Sequence, residues 1–377
     1  MTHEIKTKIN ELEVYFFVND LNYFLSHRKK VAEGLFKQGG TVYVFYKKGS
    51  QNENFECFKA FPLFSIKTLL KIFRLNTLSR SINSKKKVFH LITLNFIISF
   101  SVLLLPFAGH HFVWSIAGLG NIYEKGTFLV ILRRKILNLY LKLLSKIFTP
   151  NIIFQNQRDY RFIRRVIGKN VKNTIVTLGS GVDFNKIPTS NYSEKNMNLV
   201  FASRLVKNKG SDIFLNIAEQ LSKELRLKKN FIIFGEFRKK FNFSITEREF
   251  NRITSHNIVK YLGYQADKKI LFDNALLFIY PSNYNEGVPK IVLEALSFGV
   301  PVVCFDKPYF KHIILNGHNG IKINAHKPHL FCTEISNLLN NPEKLIELSA
   351  NALVYARKNF SVDKVVDDHL ELYSSIK

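Results

Sequence analysis

The sequence predicts an α/β protein of two doubly wound units, and three observations carry that expectation. Strand-like apolar runs alternate with helical stretches over residues 13–180 and again from Asn198 onward. A polar segment, Phe184 to Asn198, with Pro188, Thr189, Ser190, Asn191, Ser193 and Asn196, separates the two series. From Pro281 to Val303 the chain reads PSNYNEGVPKIVLEALSFGVPVV, which parses as a strand end, a loop, a buried helix and a second strand. The 377 residues are enough for two ordinary cores. The expected division is 1–183, a linker at 184–197, a second domain at 198–360 and a last helix at 361–377.

Taken in order, the amino terminus MTHEIKTKINELEVYFF lacks the cationic start and long apolar core of a secretory signal, so a cytoplasmic protein is expected. Lys87 to His90 is strand-like, with His90 at its end, and Leu91 to Phe107 reads as a strand and then a buried helix. Thr93, Asn95, Ser99, Ser101 and Pro106 interrupt it too often for a membrane span. Phe128 to Phe148, FLVILRRKILNLYLKLLSKIF, has Leu, Ile and Phe at helical spacing, broken by Arg133, Arg134, Lys135, Lys142 and Lys146. It suits a helix lying at a membrane surface, or one that packs its apolar side inward and exposes its charges. Five cations exclude a span.

In the second half, NLVFAS (198–203) is a strand that runs into Arg204, Lys207, Lys209 and Gly210 before a helix at Asp212–Leu221. Such a turn is either a diphosphate clamp, fixed positive charge beside a helix N-terminus, or an exposed basic loop. Further strands are expected at Phe231, Val259, Leu276 and Val300–Phe305, and a helix at Phe360–Ser375. LLFIYPS ends as a buried parallel strand at Pro281 and Ser282. Asn283 to Gly287 form the loop, Pro289 suits a first helical turn and Gly299 a helix end. Glu286 then stands at the carboxyl end of a strand, where open α/β sheets bind ligands, and the amides of Gly287 and Val288 face an anion. Glu294 is the one charge expected on the helix. The two glutamates are either a sugar-nucleotide pair, or a solvated loop charge with a partly exposed helix position.

Charge is lopsided. Residues 1–180 hold 28 Lys and Arg against 9 Asp and Glu, a net +19; the remainder holds 27 against 20, a net +7. The partner classes are nucleic acid, anionic lipid and phosphorylated substrates. Lys85, Lys86 and Lys87, with Arg158, Arg161, Arg164 and Arg165, extend the basic surface. No zinc, helix-turn-helix or RNA-binding signature is recognisable, so nucleic acid is not the expected partner. Cys57, Cys304 and Cys332 lie far apart, with no metal or redox spacing, and read as small residues in a reduced compartment.

The paired segments resemble the carboxyl-terminal half of the family 4 retaining glycosyltransferases, of GT-B fold with two facing Rossmann-like domains. That family's signature, a Glu, seven residues and a Glu, preceded by an Arg and a Lys on an earlier loop, corresponds here to Glu286 with Glu294 and to Arg204 with Lys209. Val18 to Val44 resembles the first strand, acceptor-side loop and first helix. Ala117-Gly118-Leu119-Gly120 and Ile153-Phe154-Gln155-Asn156 resemble segments of O-antigen and capsule transferases. Gly179 to Asp183 resembles the approach to the linker.

The resemblance implies a last helix crossing back to the first domain. It also implies transfer with retention from a nucleotide diphosphate sugar, by default uridine-linked with an N-acetylhexosamine, to a lipid-linked saccharide at the inner face of a bacterial membrane. Arg204 and Lys209 would stabilise the departing diphosphate without a metal or cofactor. Glu294 would hold the ribose and Glu286 the donor sugar, with donor contacts at Gly287, Val288, Pro289 and Gly235. His27, expected to start the first helix, and Gly118 and Gly120 are candidates on the acceptor or cleft side. A packed or capping histidine and a plain glycine turn are the alternatives there. The chain departs from the family at His90-Leu91-Ile92, where His-x-His is common, at Val18 to Asn22, where a glycine-rich loop is missing, and at Pro308-Tyr309, where Pro-Gly is frequent. A sugar-nucleotide epimerase or phosphorylase, and a basic nucleic-acid-binding protein, are the competing functions.

Overall fold

Strand-forming Val, Ile, Phe and Tyr, buried on both faces, set the architecture in the computed structural model. It describes residues 9–49, 55–62, 86–94, 97, 110–119, 128–187, 192–193, 196–225, 230–239, 244–284, 287–324, 327 and 329–376.

The chain divides into two compact units, and the first comprises residues 1–181, 285–288 and 362–377. Its elements begin with β1 (Leu12–Asp20), α1 (Leu21–His27), α2 (Lys29–Lys37), β2 (Thr41–Lys48), β3 (Lys59–Pro62), β4 (Lys86–Ile92) and β5 (His111–Ile116). They continue with α3 (Phe128–Phe148), β6 (Asn151–Phe154), α4 (Gln157–Ile167) and β7 (Thr174–Val176). All pairings are parallel, in the order β3-β2-β1-β4-β5-β6-β7. Alternation along β1 divides the core. Val14, Phe16 and Val18 join residues of α1 and α2 on one face, while Tyr15 and Phe17 join Leu137, Leu141, Leu144 and Phe148 of α3 on the other.

The second unit, 182–284 with 289–361, contains β8 (Asn198–Ala202), α5 (Ser211–Leu225), β9 (Asn230–Phe234), α6 (Glu247–Thr254), β10 (Val259–Tyr261) and α7 (Lys268–Phe272). β11 (Ala275–Tyr280), α8 (Lys290–Ser297), β12 (Val302–Phe305), β13 (Gly320–Ile323), α9 (Leu330–Leu339) and α10 (Pro342–Asn359) follow. This sheet is also parallel, ordered β10-β9-β8-β11-β12-β13. The order therefore reverses between β8 and β11, the position where doubly wound sheets leave room for a ligand.

The last helix, α11 (Val362–Ser374), belongs to the first unit and packs on α2, where Gly34 leaves space for Val366. A polar cluster under α11 is fully buried. His90, inside β4, bonds Tyr373 Oη through Nδ1 (2.5 Å) and Ser115 Oγ through Nε2 (2.6 Å). His369 Nδ1 donates to the Val365 carbonyl (2.7 Å), and its Nε2 has no hydrogen-bond partner among the described residues. Burial pushes the His369 pKa down to about 3 and that of His90 well below the usual value, with the Arg28 guanidinium adding to both.

Several expectations change. His27 ends α1 instead of starting a helix, because Asp20 accepts from Asn22 N (2.8 Å) and caps α1 directly after β1. His90 lies inside its strand, since β4 runs on to Ile92, and its ring holds Tyr373 and Ser115. Beyond Ile97, the helix expected up to Phe107 lies outside the described residues. The helix after Gly210 is longer than expected, and the strand after Gly299 starts at Val302. β13 escaped the reading altogether.

The buried neutral histidines predict acid sensitivity. Their folded pKa values lie below the unfolded ones, so the stability they allow is complete above the unfolded pKa of about 6.5 and falls as pH drops through it. The melting temperature should fall between pH 7 and pH 5, and His369→Phe, which removes an unpartnered ring nitrogen, should lessen that fall. An identical acid profile in the variant would show that His369 is not responsible.

Candidate active site

Two loops at the switch of the second sheet are drawn together by backbone contact. Gly210 has φ +90°, and a Cβ there would run into the Pro281 carbonyl oxygen. Only glycine accepts both conditions. One residue pair away, Asn283 N donates to the Asn208 carbonyl (2.8 Å), and Asn208 itself has φ +66°. The loop after β8 is thereby fastened to the loop after β11.

Lys209 sits in this seam, 5 % exposed. Its ammonium donates to Tyr280 Oη (3.0 Å) and stands 5.6 Å and 5.0 Å from the ring centroids of Tyr280 and Tyr284. Tyrosine faces attract a cation through their ring quadrupoles. Tyr284 is held in turn by Tyr309, whose hydroxyl donates to the Tyr284 carbonyl (3.1 Å). The Tyr309 side chain thus braces the loop.

Arg204 is exposed and lines a depression with Leu205, Val206, Glu236, Arg238 and Ser244. Lys207, also exposed, lines a different one with Asn208, Glu249 and Arg252. The basic loop therefore splits: Lys209 turns inward, while Arg204 and Lys207 lie on the surface. Gly235, beyond β9, packs so closely on Ser203 that a Cβ would meet the Ser203 carbonyl oxygen. Its N–H donates to the Gly263 carbonyl (2.8 Å), so its role here is close backbone approach.

Glu294 lies on α8, 9 % exposed. Burial raises its pKa, and the ammonium groups of Lys268 and Lys290 pull it back. Lys290 is the first residue of α8, so Glu294 is not the one charge on that helix, contrary to expectation. Pro289 is the N-cap residue, and Gly299, with φ +74°, follows the helix end. Glu286 and Gly120 lie outside the described residues. Gly287, in the first unit, is buried, and a Cβ would collide with the Ala117 carbonyl oxygen; Val288 and Gly118 are half-buried.

His27 is committed locally: Nδ1 contacts Ser26 Oγ (2.6 Å) and the Tyr23 carbonyl (3.2 Å), and the ring stacks on Tyr23 at 4.3 Å. Its neighbour Arg28 drew no attention in the sequence and is 1 % exposed. Nη1 donates to the His27 carbonyl (3.0 Å), and the Gln155 amide, with its oxygen turned to Arg28, accepts from Nη2 (3.0 Å) and donates to the Ala117 carbonyl (3.0 Å). Arg28 Nε has no hydrogen-bond partner among the described residues. Asn156 after it caps α4, accepting from Asp159 N (2.8 Å), which explains that asparagine in the segment singled out above. Nothing short of tertiary structure would have revealed Arg28 as a buried cation. Among the described residues, no group of three or more His, Cys, Asp or Glu is placed to hold a metal ion.

Comparison with known proteins bears on this geometry. Residues 183–355 match the family model described as Glycosyl transferases group 1. An uncharacterized glycosyltransferase of Haemophilus influenzae is 22% identical over 175 residues, 46% of this chain and 48% of the relative. A Campylobacter jejuni N-acetylgalactosaminyltransferase, named for a diphospho-undecaprenol-linked saccharide, is 24% identical over 193 residues, 50% of each. The chain spans about half the length of the curated relatives it matches. Among solved structures, sucrose-phosphate synthase of Thermosynechococcus elongatus superposes with TM-score 0.73 at 14% identity, covering 96% of this chain and 98% of the other. Anabaena Alr3699/HepE in complex with UDP-glucose gives 0.71 at 16%, covering 96% and 99%. The two parallel sheets with interleaved helices are those of GT-B glycosyltransferase structures.

Two outcomes follow from the packing. Gly210→Ala should cost about 1–3 kcal/mol, read as a lowered denaturation midpoint, because strain and a backbone clash act together. Glu294→Gln should raise the melting temperature by roughly 2–4 °C at pH 8 and by nothing near pH 4. The sign follows from a folded pKa above the unfolded one: the penalty grows as pH rises and the buried carboxyl ionises. An unchanged melting temperature at pH 8 would mean that the carboxylate is well paired.

Proposed function

We propose that this chain is a retaining glycosyltransferase of the family 4 type, passing a sugar from a nucleotide diphosphate to a lipid-linked saccharide during synthesis of a bacterial surface polysaccharide such as O-antigen, capsule or lipopolysaccharide. The observation that carries the reading is the buried Lys209 ammonium between Tyr280 and Tyr284, at the strand-order switch of the sheet that lies within the matched segment. The family match and relatives named as glycosyltransferases support a transferase of the EC 2.4 class. They do not favour an epimerase, a phosphorylase or a nucleic-acid-binding protein.

The finer assignments rest on chemistry. As the bond between the anomeric carbon and the phosphate oxygen breaks, negative charge builds on the diphosphate, and Lys209 with Arg204 supplies fixed positive charge against it, with no metal ion called for. The acceptor hydroxyl oxygen bonds the anomeric carbon on the face the phosphate leaves, and its proton passes to the departing phosphate oxygen. Glu294 accepts hydrogen bonds from the ribose hydroxyls, which explains why a buried carboxylate is retained at a cost. Glu286 takes the donor sugar's hydroxyls, with Gly287, Val288, Pro289 and Gly235 as backbone contacts.

His27, Gly118 and Gly120 are assigned to the acceptor side. Uridine diphosphate is the carrier we favour, as HepE is seen with UDP-glucose. An N-acetylhexosamine on an undecaprenol-linked acceptor follows the Campylobacter relative. A lipid-linked acceptor places the protein peripherally on the inner face of the bacterial plasma membrane. For the functional division we take 1–183 as the acceptor and membrane side, 184–197 as a linker, 198–360 as the donor-binding domain and 361–377 as the crossover helix.

Melting curves against a panel of sugar nucleotides and nucleoside diphosphates, without metal, test the reading. One carrier should raise the midpoint by several degrees at about 100 Kd. Lys209→Ala should lower turnover about 10²–10³-fold, and Glu294→Ala should abolish the nucleotide shift. Wild-type turnover and shift in both folded variants would sink the assignment.

A further inference from the structure

Helix α3 has apolar side chains on two faces, and the first unit uses only one. Leu137, Leu141, Leu144 and Phe148 are buried in the core behind β1, β4 and β5. A second row, Phe128, Leu132, Ile136, Leu139, Leu143 and Ile147, recurs at steps of three and four residues and is 76, 43, 60, 60, 50 and 48 % exposed. At about 100° per residue it lies roughly 140° around the helix from the buried row. Eight of the fourteen large apolar residues exposed among the described residues fall on α3; the other six are spread over the rest of the chain.

Charge identifies what covers this row. Exposed Lys135, Lys142 and Lys146 run along one edge of it and exposed Arg133 borders the other, while the 21 residues of α3 contain no acid. A helix of this length is about 31 Å long. No helix among the described residues is long and apolar enough to cross a membrane. An apolar strip edged with ammonium groups fits the boundary between headgroups and acyl chains, where lysine stems stay in the apolar layer and their heads reach lipid phosphates. A second copy seated row to row would bring like charges together, and a nucleic acid would leave the apolar row uncovered.

We infer that α3 lies flat on an anionic lipid bilayer, with this row immersed and the lysines at the headgroups. The inference deepens the reading of a lipid-linked acceptor by naming the surface that meets the membrane. Vesicle binding is measured without donor or acceptor, so either idea can fail alone.

The experiment is sedimentation of the full chain with vesicles of mixed phosphatidylcholine and phosphatidylglycerol, and of phosphatidylcholine alone. The protein should partition at least tenfold more strongly into the mixed vesicles, and added salt should weaken that preference. Replacing Leu132, Ile136, Leu139 and Leu143 by Gln should abolish binding. Lys135→Gln, Lys142→Gln and Lys146→Gln together should lower it tenfold or more, and all these exposed changes should leave the melting temperature in place. Absence of vesicle binding, or equal binding by wild type and both variants, would overturn the inference. So would a wild-type dimer in light scattering that the four-Gln variant converts to monomer.

Discussion

The approach of Gly210 to the Pro281 carbonyl is the contact on which the candidate site depends. Strands β8 and β11 are neighbours only because the sheet reverses its order there, and their loops leave the same end side by side. A side chain at 210 would push the loops apart. Without one they close, Asn208 and Asn283 pair through their backbones, and Lys209 is turned between two tyrosines instead of into water. The quadrupoles of the two phenol rings stabilise the buried ammonium, and the seam that holds it lies at the strand-order switch, where doubly wound sheets bind ligands.

Other polar groups are buried for different reasons. Arg28 and His90 are buried in the first unit near His369 of α11, and burial holds the histidines neutral. His90 joins β4, β5 and α11 through Ser115 and Tyr373, so a side chain on the last helix, distant in sequence, completes the hydrogen bonding of the buried imidazole. Arg28, through Gln155, orders the carbonyl of Ala117, the atom against which Gly287 packs. Each burial costs free energy; Arg28 orders the carbonyl of Ala117 through Gln155, while His90 ties two strands to the last helix.

Much of this was legible in the sequence, for identifiable reasons. β1, β8 and β11 are long apolar runs, and Lys209, Glu294 and Gly299 stand at turn and helix positions whose spacing is local. What escaped depends on contacts between distant segments. β13 is four residues long with Lys322 inside it, too short for a periodicity. Arg28 and His27 are adjacent, and only the packing of α11 and Gln155 determines that the arginine is the buried one. The two apolar rows of α3 blur into one hydrophobic stretch until the core shows which row it takes. Arg204 and Lys209 look equivalent along the chain, but the turn at Asn208 and Gly210 points them differently.

The central claim is that the seam around Lys209 receives the phosphates of a nucleotide. A crystal structure of the protein soaked with a nucleoside diphosphate chosen by thermal shift tests it most directly. The account predicts a phosphate oxygen within hydrogen-bond distance of Lys209 Nζ, with the ribose at Glu294. Phosphates bound elsewhere, with Lys209 still held on Tyr280, would contradict it.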